Sequence, residues 1–297
     1  MGETGLISIC IIPGLGSKVI SLRNRRTNRE WLWRSGKPLG NQGYGSSFAA
    51  GDESGWDEMF PCIDACAYPL EPWEGRPIPD HGEVWALRWN HYCTGTSLHC
   101  SVEGVQFPYL LEKVYSLSSE DTLRIEYALT NRSEASFSFL WAAHPLLRVQ
   151  EGMNLQVPGD LTEIEVSYSE GGRLGVFGDK RPWPVIRTSG GDIDLSVTEP
   201  DTGRFAEKYY FTGKLGTGFA GLSDPATSEA ITFTFPAEQV PYMAVWANYG
   251  GYGGNYHLAF EPATGRMDHL GSAVQQSEAA VVLAGGVYRW FLEVNIA

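Results

Sequence analysis

The chain has 297 residues, 43% of them hydrophobic and 19% charged, enough to bury a large core without covalent staples. Its 22 basic against 35 acidic residues give a formal charge of −13 with no basic stripe, which excludes a nucleic-acid or anionic-membrane surface as its working face. No stretch approaches the ~20 apolar residues of a membrane span, and five cysteines without framework spacing read as reduced thiols.

In chain order, the segment after Met1 to Thr4 is strand-like and shows no signal-peptide layout, so a cytoplasmic location is expected. The cluster Arg23, Arg25, Arg26 and Arg29 is diluted by polar residues and reads as a solvated turn. Along residues 83–89, strand alternation would set Arg88 opposite Trp85, Leu87 and Trp89, facing a cleft if those aromatics are core. Leu123, Ile125, Tyr127 and Leu129 then alternate with polar residues. Ile193, Leu195 and Val197 repeat the pattern, as do Ile231, Phe233 and Phe235, and Tyr288, Trp290, Leu292, Val294 and Ile296. Turn clusters such as Gly171-Gly172 and Gly190-Gly191 separate the runs, and 35 Gly with 17 Pro supply many such turns. With no amphipathic helix of three turns, no linker and no repeat, the pattern predicts one all-β domain over residues 1–297, a large antiparallel β-sandwich.

Polar residues concentrate beside aromatics at three places: around Trp56-Asp57-Glu58 and Asp80-His81-Gly82, at Trp141-Ala142-Ala143-His144-Pro145, and from Trp246 to Glu261-Pro262. Glu261 ends an apolar run before a proline; such a carboxylate is either a solvated strand end or functional. His144, after an aromatic strand, is either a satisfied structural histidine or a proton carrier. Cys62 and Cys66 with Cys93, Cys100, His91 and His99 do not make a metal site, because His99 and Cys100 would point to opposite faces of one strand. Gly250-Gly251-Tyr252-Gly253-Gly254 lacks the Lys-Ser/Thr of a phosphate loop.

Four segments, in order, resemble the aldose 1-epimerase (galactose mutarotase-like) family: residues 13–22 with 30–33, Asp80-His81-Gly82 followed by Arg88, residues 141–145 and residues 256–265. The resemblance spans about residues 10 to 270 and implies the mutarotase-like supersandwich, with anomeric interconversion of a sugar by acid–base ring opening. It implies Glu261 as base and His144 as acid, with His81 hydrogen-bonding the sugar. Arg88, Asp57 and Trp246 are the expected hydroxyl and ring-face contacts, and Lys208 a weaker one. No metal or redox cofactor is required; the expected partner is a small sugar, and the expected state a monomer or homodimer. The chain departs from well-known galactose mutarotases in lacking their Asn-Arg pair before the DHG-type histidine. It also lacks a counterpart, around residues 209–218, of an aspartate that contacts the sugar in those enzymes. A carbohydrate-binding module and a sugar-phosphate epimerase are the alternatives: the first does not need His144 and Glu261 to meet, and the second needs several cations beside the pocket.

Overall fold

The computed structural model describes residues 1–40 and 43–297. Among these, the strands form two large antiparallel sheets of 11 and 8 strands. The clearest period-two segments lie in the smaller sheet. Thr122–Asn131 pairs with Tyr109–Leu117 and Val287–Ile296, and the latter pairs in turn with Glu229–Thr234. Their inward residues, among them Leu123, Ile125, Phe233, Leu292 and Val294, are buried in one continuous core shared with the larger sheet. Each such side chain contributes about 1.5–3 kcal/mol by leaving water. The predicted antiparallel sandwich is what forms, and among the described residues the α-helix is confined to Leu270–Gln275. No helix among those residues is long and apolar enough to cross a membrane.

In the larger sheet, Lys18–Asn24, Trp56–Met59, Ala142–Pro145, Tyr256–Ala263, Tyr242–Tyr249 and Phe205–Phe211 follow one another in hydrogen-bonded order. Alternation splits each of them. Val19, Trp56, Ala143, Leu258, Phe260, Val245 and Tyr209 enter the core between the sheets. Their neighbours Lys18, Asp57, His144, Glu261, Trp246 and Lys208 therefore project from the opposite face. That face carries the polar chemistry.

Two expectations are corrected. The strand expected through residues 193–197 stops at Asp194, whose Oδ1 accepts hydrogen bonds from the Ser196 amide and hydroxyl and turns the chain. Residues 83–89 are not a strand, because Val84–Ala86 forms a 3₁₀ turn, so the alternation argument for Arg88 does not apply.

One charged pair crosses the core. Glu58 and Lys113, from facing sheets, are 1% exposed each and meet at 3.3 Å, while Glu58 also accepts hydrogen bonds from Tyr127 (3.0 Å) and Trp141 Nε1 (2.7 Å). Burial raises the Glu58 carboxyl, and Lys113 with these two donors works against it. Removing one partner strands a buried charge, which costs about 3–5 kcal/mol. Glu58→Ala should lower the urea unfolding free energy by about that amount, whereas the double variant Glu58→Leu/Lys113→Met should lose much less.

Candidate active site

The polar face of the larger sheet opens into a cleft of about 300 Å³, whose lining includes His81, His144, Lys208, Trp246, His257, Glu261 and Asp268. Register builds its centre. Ala142 pairs with Ala263, so two residues further along each strand His144 comes beside Glu261. His144 Nε2 lies 3.6 Å from Glu261 Oε1, with the residues 6% and 1% exposed. On the next strand Ala244 pairs with Glu261 and with Tyr210 beyond it. Its short methyl lets Lys208 reach across, placing Nζ 2.7 Å from Glu261 Oε2 and 2.7 Å from Asp268 Oδ1. Asp268 is fixed by Tyr210 Oη–H at 2.8 Å and by the Ser167 hydroxyl at 2.7 Å.

This packing sets the protonation states. Burial raises the Glu261 carboxyl; Lys208 pulls it down, while Asp268 adds to the rise. Burial would lower Lys208, but Asp268 and Glu261 outweigh it and keep it firmly an ammonium. Burial would also raise Asp268, yet Lys208 and the hydroxyl donors hold it below the ordinary carboxylate range. His144 is pushed well below the ordinary imidazole value, first by burial and then by the cationic forms of His81, Lys208, His257 and Lys18. A carboxylate raised and an imidazole lowered, side by side, titrate as a pair that can share one proton.

The Asp80-His81-Gly82 segment forms the roof. Asp80 Oδ2 accepts from the Phe48 amide at 2.7 Å, and Oδ1 lies 2.8 Å from His81 Nδ1. His81 takes the left-handed conformation (φ 60°) and stacks flat on Phe48 at 4.2 Å, 5.6 Å from the His144 ring. Gly82, also at positive φ, lies against the Phe60 carbonyl where any Cβ would collide. Only glycine fits there, so Gly82 indirectly aims His81. Trp246 forms the wall with Tyr168 and Tyr252, each at a ring distance of 6.1 Å.

Five expected site residues thus converge: His81, His144, Lys208, Trp246 and Glu261. Two do not line the cleft. Arg88 is exposed beside Gly14, because the turn at residues 84–86 swings it outward. Asp57 is buried on the strand beside His144, 3.0 Å from Lys18 Nζ, and so cannot hydrogen-bond a sugar hydroxyl in the cleft. Sequence reasoning missed Asp268, Tyr168 and Tyr252: Tyr168 reaches the cleft because Glu163–Ser169 pairs with Phe205–Phe211, Tyr252 from the turn between Tyr242–Tyr249 and Tyr256–Ala263, and Asp268 from the segment after that last strand. It also passed over His257, although strand alternation puts it on the same face as Glu261. A second hollow of about 380 Å³ lies on the smaller sheet, where Arg124 is occupied by Glu126 and Glu293.

No protein-family model matches the sequence, and no curated protein matches it. Among solved structures, the chain superposes on a galactose mutarotase-like protein from Lactobacillus casei (18% identity, TM-score 0.74, covering 100% of this chain and 99% of that one). It superposes similarly on Slr1438 from Synechocystis (17%, 0.72, 100% and 96%) and on a galactose mutarotase related enzyme from Lactobacillus acidophilus (13%, 0.70, 100% and 96%). The fold is therefore the galactose mutarotase-like β-sandwich.

His257 gives the cleft a measurable pH signature. It is 3% exposed, its buried Nδ1 has no hydrogen-bond partner among the described residues, and burial lowers it to about 3. The unfolded chain, with a value near ~6.5, binds this proton more tightly, so the stability His257 contributes is full above that pH and is lost as pH falls toward 3. Urea midpoints should drop between pH 7.5 and 4.5, and His257→Gln should shrink that drop.

Proposed function

We propose that the chain is an isomerase of the aldose 1-epimerase type, interconverting the α and β anomers of a sugar. The observation that carries this reading is the 3.6 Å approach of His144 Nε2 to Glu261 Oε1 inside an aromatic-walled cleft. The anomeric hydroxyl and the ring oxygen share one carbon, so a base for the first and an acid for the second must be neighbours. Glu261 takes the proton from the anomeric hydroxyl as the carbonyl forms. The bond from the anomeric carbon to the ring oxygen breaks, and that oxygen takes the proton from His144. The aldehyde turns about its bond to the next carbon and recloses on its other face, with both proton transfers reversed. Trp246, Tyr168 and Tyr252 offer apolar faces to the sugar's C–H groups, and His81 offers a polar ring edge.

A phosphorylated substrate is disfavoured by charge. The cleft contains Glu53, Asp64, Asp80, Glu261 and Asp268, while Lys208 is held between two of these carboxylates. A phosphate would meet repulsion with Lys208 already committed. A purely binding module does not account for a buried acid–base pair.

Anomer exchange measured by NMR saturation transfer over a panel of aldoses and sugar phosphates tests this reading. Acceleration is expected with at least one unphosphorylated sugar, and Glu261→Gln and His144→Ala should each reduce it by about 10²–10⁴-fold. Trp246→Ala should raise KM with kcat largely kept. Binding without exchange, unchanged in the variants, would leave a carbohydrate-binding protein.

A further inference from the structure

Two thiols meet beside the cleft. Cys62 Sγ and Cys66 Sγ are 3.4 Å apart and joined by a hydrogen bond. Both are free thiols; Cys62 is fully buried, and Cys66 is half-buried with solvent on one side. When Cys66 ionises, Cys62 donates to it, and this bond draws the Cys66 thiol below its ordinary value against the opposing effect of burial. Burial pushes the Cys62 thiol up. The thiolate is the nucleophile, so Cys66 is the member of the pair that reacts first. A thiolate open to solvent with a second thiol in contact is the arrangement that peroxide-sensing cysteines need.

The loop between the two cysteines ties them to the site. Ile63 and Asp64 line the cleft. The Ile63 carbonyl accepts from the His81 amide at 2.7 Å, and the Ile63 and Asp64 amides donate to the Asp268 carbonyl at 3.3 and 2.9 Å. Cys62 Sγ donates to that same carbonyl and accepts from the Leu270 amide, each at 3.2 Å. One short loop therefore carries the backbone of His81 on one side and that of Asp268, the partner of Lys208, on the other. A bond between the two sulfurs removes the Cys62 proton and draws its sulfur toward Cys66. Both of its contacts with residues 268–270 then change.

We infer that Cys62 and Cys66 form a reversible disulfide modification site, with Cys66 as the attacking sulfur and a hydroperoxide as the oxidant, and that closing the bridge disturbs the loop holding His81 and Asp268. The Cys66 thiolate attacks one peroxide oxygen; the O–O bond breaks, and the departing oxygen leaves as hydroxide and is protonated to water. The sulfenic acid so formed on Cys66 is attacked at sulfur by Cys62. The S–O bond breaks, the Cys62 proton leaves with the hydroxyl as a second water, and the S–S bond closes. Two thiols lose two electrons, and the peroxide gains them. A dithiol reductant reopens the bridge by exchange. Bridge formation stands on the two sulfurs alone, while its effect on turnover rests on the epimerase reading of the cleft.

The test treats the reduced full-length protein with hydrogen peroxide and then with dithiothreitol. No Lys or Arg lies between the two cysteines, so trypsin leaves both in one peptide. After peroxide that peptide should be lighter by two hydrogens and refuse alkylation, and dithiothreitol should restore both thiols. In ¹⁵N-labelled protein the His81 resonances, assigned by their loss in His81→Gln, should move on oxidation and return on reduction, and should stay still in Cys66→Ser. With the sugar that exchanges, oxidation should slow the wild type about tenfold, since displacements of ~1 Å in an active site cost up to ~10²-fold. Cys66→Ser should exchange at the wild-type rate and ignore peroxide. Oxidation found only at Cys93, a sulfinic acid on Cys66 without the bridge, or a bridge between two molecules would each overturn the site. A bridge that leaves His81 unmoved would overturn its link to the cleft. If no sugar exchanges in the reduced wild type, the epimerase reading fails by itself, and the peptide mass and His81 spectra still decide this one.

Discussion

The site depends on strand register. Across neighbouring strands of the larger sheet, Lys18, Asp57, His144 and Glu261 fall on one face, linked by ion pairs, backbone pairing and the 3.6 Å approach of the last two. Side chains alternate with period two, so a one-residue slip of Ala142–Pro145 would send His144 into the core and Ala143 into the cleft. What prevents the slip is apolar: Trp56, Ala143, Leu258 and Phe260 occupy the sandwich interior from the same strands. The chemistry is therefore held in place by the hydrophobic face on its back.

The same geometry explains how so many charges tolerate burial. Isolated, each would cost several kcal/mol. Here they are grouped around two lysines, each serving two carboxylates: Lys18 with Asp52 and Asp57, and Lys208 with Glu261 and Asp268. His144 lies between them on the same face of the sheet. Burial and the neighbouring cations His81, Lys208, His257 and Lys18 all favour a neutral imidazole there.

Much of the fold was legible because antiparallel strands with one buried face write their pattern into the sequence. Residues 122–131 and 287–296 alternate cleanly, and they form strands paired along their length. The pattern misled where side chains alternate without strand backbone. Residues 83–89 do so, yet Glu83 is a buried acceptor for Tyr109, Tyr44 and the Val105 and Gln106 amides, and the chain turns around it. Arg88 was misplaced for that reason. At the site, His81, His144 and Glu261 were legible as short motifs. Asp268 was not, because it belongs to the cleft only through Lys208, Tyr210 and Ser167, which lie some 58 to 101 residues away in sequence or on other strands.

Asp57 shows what sequence reading alone could not separate. A carboxylate beside a tryptophan near a sugar-type site suggests a hydroxyl contact, and nothing in the residue order distinguishes the cleft from the layer beside it. Two structural facts make the distinction: the Lys18 ion pair, which uses one oxygen, and the register with His144, which aims the residue sideways along the sheet. Both are long-range in sequence. A carboxylate so placed is buried beside the cleft rather than in it. One face of the sheet thus carries two different sets of residues, the aromatic wall of Trp246, Tyr168 and Tyr252 and the charged row beside it. Because the two sets are different side chains, the wall can vary while the row, fixed by the core behind it, stays as it is.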